Sequence, residues 1–260
     1  CVAFTGSTRV GKMMLEYSGR SNMKRVWLEC GGKAPNVVMG DVADLDRAAN
    51  AAAYGIFFNQ GEMCSAASRL VVRESVRDPL LEKIVEIGRT MMPGDPLDPK
   101  TRLGAIVDQV QLNTVLAFIE SGRRQGANLR FGGNRACIES GGYFVEPTVF
   151  DNVTMQMKIA REEIFGPVLS AITFKDVDEA VRIANDVSYG LTAAVWSRDI
   201  TTAHRVAKAL RAGTVYVNCY DACDITVPFG GFKQSGNGRD KSLHAMDKYT
   251  ELKTTWIDLS

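Results

Sequence analysis

Short apolar runs of strand type alternate along this chain with longer stretches whose apolar residues recur at every third or fourth position. Cys1 to Phe4 reads as a strand already under way, and Val10 to Leu15 has helical spacing, so the chain opens as strand, small-residue turn, helix. Lys24 to Leu28 and Asn36 to Met39 are further strands, and Asp44 starts a capped, Ala-rich helix that runs toward Phe58. Val76 to Met91 and Gln111 to Gly122 carry helical periodicity, and the turn Gly126-Ala127-Asn128 leads into a strand at Leu129 to Phe131. Then come a strand at Val168 to Phe174, a helix at Asp178 to Asn185, a strand at Ala193 to Trp196, a helix at Thr201 to Leu210 and a strand at Gly213 to Asn218. Strand and helix take turns without repeat or low-complexity linker, so a parallel sheet is expected.

Composition narrows the partners more than the fold. With 31 Lys and Arg against 30 Asp and Glu there is no basic field, and neither nucleic acid nor an anionic membrane surface is expected as a partner. No apolar run approaches the roughly 20 residues of a spanning helix, so the expectation is a soluble chain. The six cysteines show no CxxC spacing, which points to free thiols, a reducing cytoplasmic setting and no metal site.

Three stretches carry candidate chemistry. Thr5-Gly6-Ser7-Thr8 lies between the first strand and helix, where backbone N–H groups, the Ser7 hydroxyl and the helix dipole favour an anion; a plain N-cap explains the same residues. Glu29 ends the next strand, just before Gly31-Gly32, which are expected to force a sharp turn. A carboxylate at a strand end can be a general base, or only a surface side chain. In Ile56-Phe57-Phe58-Asn59-Gln60-Gly61-Glu62-Met63-Cys64-Ser65-Ala66, an apolar run delivers one thiol to a polar turn. If Ser65 to Arg69 begins a helix, its N-terminus stabilises the Cys64 thiolate; the alternative is Cys64 as a small buried hydrophobe. His204 and His244, the only histidines, stand in no recognisable motif, so a Cys–His pair is poorly supported.

Taken together, Leu28-Glu29-Cys30-Gly31-Gly32-Lys33 and Phe57 to Cys64 resemble the glutamate and cysteine signatures of the aldehyde dehydrogenase superfamily. Phe4-Thr5-Gly6-Ser7-Thr8 with Gly11 resembles its coenzyme-phosphate turn, Glu162 to Val168 its nicotinamide-ribose segment, and Pro228 to Gly236 its late loop. Five motifs in order cover nearly the whole chain. The resemblance implies an α/β three-layer sandwich with a mostly parallel sheet, preceded by the end of a Rossmann-like coenzyme domain. Residues 1–29 would close the coenzyme domain, 30–235 form the catalytic domain, and 236–260 return to a tail strand at Tyr249 to Ile257 that pairs with another subunit of a homodimer or homotetramer.

The resemblance also implies roles. Cys64 attacks an aldehyde, hydride passes to NAD (NADP is not excluded), and Glu29 activates the water that releases a carboxylic acid. The Cys64 N–H holds part of the oxyanion, Gly6 and Ser7 meet the pyrophosphate, Glu163 the nicotinamide ribose, Phe165 the ring, and Gln111 the adenosine ribose. Family members are roughly twice this long, so the chain reads as their second half, without the Asn that completes the oxyanion site. Departures are Arg9, where an acidic residue is frequent, and one extra residue between Pro35 and the helix near Asp44.

On the substrate side, Asp221, Asp224 and Phe229 precede or enter the late loop, and the two carboxylates are candidates to greet an ammonium group. Lys233 to Ala245 resembles the bacterial branch that oxidises γ-glutamyl-γ-aminobutyraldehyde in putrescine breakdown. A general aliphatic or betaine-type aldehyde enzyme, an inactive assembly fragment, and a coenzyme-free thiol esterase stand as alternatives.

Overall fold

The computed structural model describes residues 1–260. The chain opens with β1 (Val2–Gly6), α1 (Thr8–Arg20), β2 (Val26–Cys30), β3 (Pro35–Val38), α2 (Leu45–Phe57), β4 (Arg69–Arg73), α3 (Arg77–Thr90) and α4 (Gln109–Arg124). There follow β5 (Asn128–Phe131), β6 (Arg135–Ala136), β7 (Phe144–Val145), β8 (Thr148–Asp151), α5 (Lys158–Arg161) and β9 (Val168–Phe174). The last elements are α6 (Val177–Asn185), β10 (Tyr189–Gly190), β11 (Thr192–Trp196), α7 (Ile200–Ala209), β12 (Thr214–Val217) and β13 (Phe232–Lys233).

Seven strands form one sheet in the order β12-β11-β3-β4-β9-β8-β5, parallel throughout except for the antiparallel edge pair β5–β8. Its central strands are apolar on both faces, as a sheet covered on both sides requires. Val37, Val71 and Ile172 join a core under α4 to α7, while their neighbours Val38, Val72 and Ala171 join a second core under α2 and α3. Alternation along the strand thus builds two cores from one sheet, giving three layers.

Four of the long helices begin on an aspartate whose carboxylate takes a backbone N–H of the first turn: Asp44 for α2, Asp108 for α4, Asp176 for α6 and Asp199 for α7. Arg69, fully buried, donates to the carbonyls of Lys33, Ile183 and Ala184, and so ties the end of α6 to the segment between β2 and β3.

β1 and β2 pair in parallel as a separate two-stranded unit, with α1 packed on one side. The expected strand at Tyr249 to Ile257 is not formed: residues 250–260 are exposed and make no strand pairing. An edge of this kind gains its ladder only from another strand. No helix is long and apolar enough to cross a membrane.

Candidate active site

Alternation in β2 sets the direction of the key carboxylate. Leu28 and Cys30 face α1, where a Cβ on Gly11 would come within 3.0 Å of the Cys30 sulfur and 3.3 Å of Leu28, so Glu29 points the other way. The chain from Ser235 to Gly238 then closes on the free edge of β2. Cys30 N–H donates to the Ser235 carbonyl at 2.8 Å, and the Asn237 side chain accepts from Leu28 N–H at 2.8 Å. Ser235, fully buried, donates to the Gly31 carbonyl at 2.7 Å and accepts from Gly190 N–H at 3.0 Å. A loop about 200 residues downstream therefore fixes the register of Glu29.

Burial pushes the Glu29 carboxyl from its ordinary 4.5 up to about 7, and Asp240 adds to the rise against the lowering influence of Lys248 and Arg239. Glu29 is 8% exposed, and its Oε1 has no hydrogen-bond partner within the protein. A buried carboxyl with a free oxygen and a proton affinity near neutrality is suited to accept a proton from water.

Cys64 is delivered by a strained elbow. Asn59, Gln60 and Gly61 after α2 all hold left-handed φ values of 49°, 58° and 70°. Side chains brace that backbone: Gln60 accepts from Gly104 N–H at 3.1 Å, and Glu62 from Val107 N–H at 3.1 Å. Gly61 is required there, because a Cβ would lie 2.3 Å from the Gly166 carbonyl oxygen.

No helix begins at Ser65 to Arg69; Cys64 and Ser65 form a turn, and after three irregular residues the chain enters β4. Pairing of Leu70-Val71-Val72 between β3 and β9 overrides the local helix preference of the two alanines. Cys64 therefore lacks a helix dipole. Burial pushes its thiol above the ordinary 9.0, the backbone N–H groups of Ser65 and Cys64 oppose this, and Glu163 and Glu29 add to the rise.

Glu29 and Cys64 line a single cavity of about 390 Å³ together with Gly6, Ser7, Gln111, Glu163 and Phe165. Ser7 is at once the α1 N-cap, accepting from Val10 N–H at 3.3 Å, and part of the cavity wall. Glu163 accepts from Gly32 N–H at 3.2 Å, and burial raises its carboxyl against the pull of that bond and of Lys33. Gln111 uses its amide nitrogen on the Ile164 and Phe165 carbonyls, at 2.9 and 2.7 Å, and so braces Phe165 in a left-handed backbone at φ 54°. The Phe165 ring is 38% exposed beside the cavity.

Gly31 and Gly32 do not adopt the positive φ expected of a sharp turn. They are needed for close approach instead, since a Cβ on Gly31 would fall 1.9 Å from Glu163 Oε1 and one on Gly32 3.0 Å from the Cys64 carbonyl oxygen. Gly31→Ala should displace the Glu163 carboxylate and destabilise the protein by about 1–3 kcal/mol. Urea unfolding tests this, and an unchanged midpoint would contradict the packing argument.

The substrate-side candidates divide. Asp221 accepts from the Ser65 hydroxyl at 3.3 Å, which ties it to the residue next to Cys64 in the chain. Asp224 is turned into its own loop, taking the Thr226 N–H and hydroxyl at 2.8 and 2.7 Å, and Phe229 lies under the Lys241 ammonium, 5.4 Å from the ring centre; none of the three, Asp221 included, lines the cavity. Sequence reasoning did not single out Asp240, Arg239 and Lys248 around Glu29, or Ser235 and Asn237 beneath it. Only the late-loop motif hinted at this neighbourhood, and their contacts are long-range.

Comparison with known proteins agrees with this architecture. The chain is 50% identical over 258 residues to the NADP/NAD-dependent aldehyde dehydrogenase PuuC of Escherichia coli (strain K12), covering 99% of this chain and 51% of that protein. The crystal structure of γ-glutamyl-γ-aminobutyraldehyde dehydrogenase from Burkholderia cenocepacia J2315 superimposes with a TM-score of 0.96 at 61% identity, over 98% of this chain and 52% of that one. An indole-3-acetaldehyde dehydrogenase in complex with NAD+ gives a TM-score of 0.97 at 59% identity, over 99% and 52%. The chain thus spans about half the length of the relatives it matches. The aldehyde dehydrogenase family pattern itself runs across residues 1–255, and with that coverage the chain belongs to the aldehyde dehydrogenase family.

Proposed function

We propose that the protein oxidises an aldehyde to a carboxylic acid, with Cys64 as nucleophile and Glu29 as base. The observation that carries this reading is the shared cavity: a thiol and a carboxyl with a proton affinity near neutrality open into the same space. The thiol loses its proton to solvent, and the sulfur forms a bond to the carbonyl carbon as the carbonyl π electrons move onto oxygen. The Cys64 N–H, in its tight turn, supports the oxygen that becomes negative. Hydride departure turns the thiohemiacetal into a thioester. Glu29 then takes a proton from water, hydroxide adds to the thioester carbon, and the acid leaves with the sulfur regenerated as thiolate.

NAD, when bound, supplies the hydride acceptor. The residues present fit it. Glu163 sits where a side chain on Gly31 would intrude, and its second carboxylate oxygen is available for ribose hydroxyls. Phe165 offers an exposed ring, and the Gly6-Ser7 turn offers the N-terminal N–H groups of α1. Residues 1–29 are the end of the coenzyme domain in this reading, which the separate β1–β2 unit supports. The exposed tail, with Trp256 and Ile257 open to solvent, pairs with a second copy.

The substrate is an amino-aldehyde of the γ-glutamyl-γ-aminobutyraldehyde type. The name of the Burkholderia neighbour and the placement of Asp221 beside Ser65 support this. NADH formation from that aldehyde and from an uncharged aliphatic aldehyde of equal length tests it, in protein extended upstream to the length of its relatives. A preference in kcat/KM of at least about tenfold for the amino-aldehyde is expected. Equal values would favour a general aliphatic aldehyde enzyme instead.

A further inference from the structure

Three hydrogen bonds tie the segment between α3 and α4 to the nucleophile elbow. The Gly104 N–H donates to the Gln60 side-chain oxygen at 3.1 Å, the Val107 N–H to a Glu62 carboxylate oxygen at 3.1 Å, and the Arg102 guanidinium to the Tyr54 hydroxyl on α2 at 3.1 Å. The segment is itself seated in the core. Leu103 and Ile106 are buried, and the Ile106 N–H donates to the Tyr143 carbonyl at 2.8 Å. Further on, in the first turn of α4, Gln111 holds the Ile164 and Phe165 carbonyls through its amide. One stretch, Gly104 to Gln111, thus grips the elbow at one end and the Phe165 segment at the other.

Between Glu62 and the sulfur the backbone has little freedom. Glu62 donates its N–H to the Asn59 carbonyl at 2.9 Å, and its own carbonyl accepts from the Asn59 side-chain amide at 3.1 Å, which closes its main chain on the strained elbow. A turn follows from Met63 to Ala66, closed by the Ala66 N–H on the Met63 carbonyl at 3.1 Å, with Cys64 and Ser65 at its centre. Its far end is tied to α2 by the Ala67 N–H on the Gly55 carbonyl at 2.8 Å. At its near end the tie to the core is Glu62 on Val107, with Gln60 on Gly104 behind it.

We propose that Glu62 is a positioning residue for Cys64: seated on the Val107 N–H, it holds the turn that carries the sulfur in register with the Phe165 segment. The inference rests on Cys64 being the nucleophile. The bond to Val107 needs an acceptor oxygen at the right reach and no charge, so Gln in place of Glu62 makes it and Ala does not. Losing it removes orientation rather than chemistry, since the thiol and the base both remain. A reacting atom held slightly out of place costs rate steeply, which is why a side chain that touches neither substrate nor coenzyme matters here.

Two measurements test the clamp. In the 260-residue chain, hydrogen exchange read by mass spectrometry should be faster in Glu62→Ala by about five- to tenfold over residues 61–66 and 104–107, the weight of one hydrogen bond, and parent-like in Glu62→Gln. In protein extended upstream to the length of its relatives, Glu62→Ala should lower kcat by about ten- to a hundredfold, counted per coenzyme-binding site, with NAD affinity within about twofold of the parent. Glu62→Gln should bring kcat back to within about threefold. A merely structural role would reduce the number of coenzyme-binding sites and leave the rate at each of them unchanged. Parent-like exchange or a parent-like kcat in Glu62→Ala overturns the proposal, and so does a Glu62→Gln variant as slow as Glu62→Ala, which would put the effect in the charge. Should Glu62→Ala lose its cooperative melt, Glu62→Asp arbitrates, because it keeps the charge and falls one methylene short of Val107. A slowing of about three- to tenfold is expected of it, and a parent-like kcat counts against the clamp. Turnover by Cys64→Ala would defeat the nucleophile assignment itself, whereas Cys64-dependent turnover with a parent-like Glu62→Ala defeats the Glu62 role alone.

Discussion

Cys64→Ala should abolish aldehyde oxidation in protein extended upstream to the length of its relatives, lowering kcat by at least about ten-thousand-fold. The reason is chemical rather than structural. Without the sulfur there is no covalent adduct from which hydride can leave, and the one other thiol lining the cavity, Cys30, has its sulfur turned toward Gly11 on the α1 side of β2. Cys64 is only half-buried and the elbow before it is braced by Gln60 and Glu62, so the fold should hold, and NAD affinity should stay within a few-fold. NADH formation followed by absorbance, with coenzyme binding measured separately by fluorescence, checks both halves. Appreciable turnover by Cys64→Ala would remove the nucleophile from the mechanism.

Glu29→Gln should separate the two half-reactions. Hydride leaves before water attacks, so the variant should give a burst of about one NADH per site, then a steady rate lower by about a hundred- to ten-thousand-fold. In the parent, activity rises with pH through about 7 as the Glu29 carboxyl loses its proton; in the variant that limb disappears. Stability should move the other way. Because burial raises the folded carboxyl from 4.5 to about 7, the native state holds a proton that the unfolded chain has released between those values, and stability falls as pH rises across that window. Glu29→Gln removes this cost, so it should be more stable than the parent above pH 7 by about 1–3 kcal/mol and equal to it below pH 4.5. Urea titrations at pH 4 and pH 8 decide the point. A variant less stable at pH 8, or one with no burst and full parent turnover, would contradict the assignment of Glu29 as a buried base.

The readability of the chain followed the range of the interactions. β9 was legible to the residue as Val168 to Phe174, because an apolar run bounded by Pro167 and Lys175 states its own limits. Helices α2, α6 and α7 were found near their Asp caps. The segment after Cys64 is locally compatible with a helix start, because Ala66 and Ala67 favour one, while β4 is held by pairing with β3 and β9. Gly31 and Gly32 read locally as turn residues, whereas what they make room for is Glu163 and the Cys64 carbonyl, distant in sequence. Asp224 looked like a partner for substrate from its place in the chain, but its carboxylate is satisfied by Thr226 two residues on.

By itself the sequence determined the order of strands and helices, the apolar alternation that gives one sheet two cores, and the chemical identity of Cys64, Glu29, Glu163 and Ser7. These follow from side-chain type and near-neighbour periodicity, which act over a few residues. Only the tertiary structure decided that Glu29 and Cys64 open into one cavity and that the Gln234 to Gly238 segment returns to hold β2. The proton affinities of Glu29 and Cys64 belong to that second group. Desolvation and hydrogen bonding are set by whichever atoms arrive in space, and here most of them arrive from the far end of the chain.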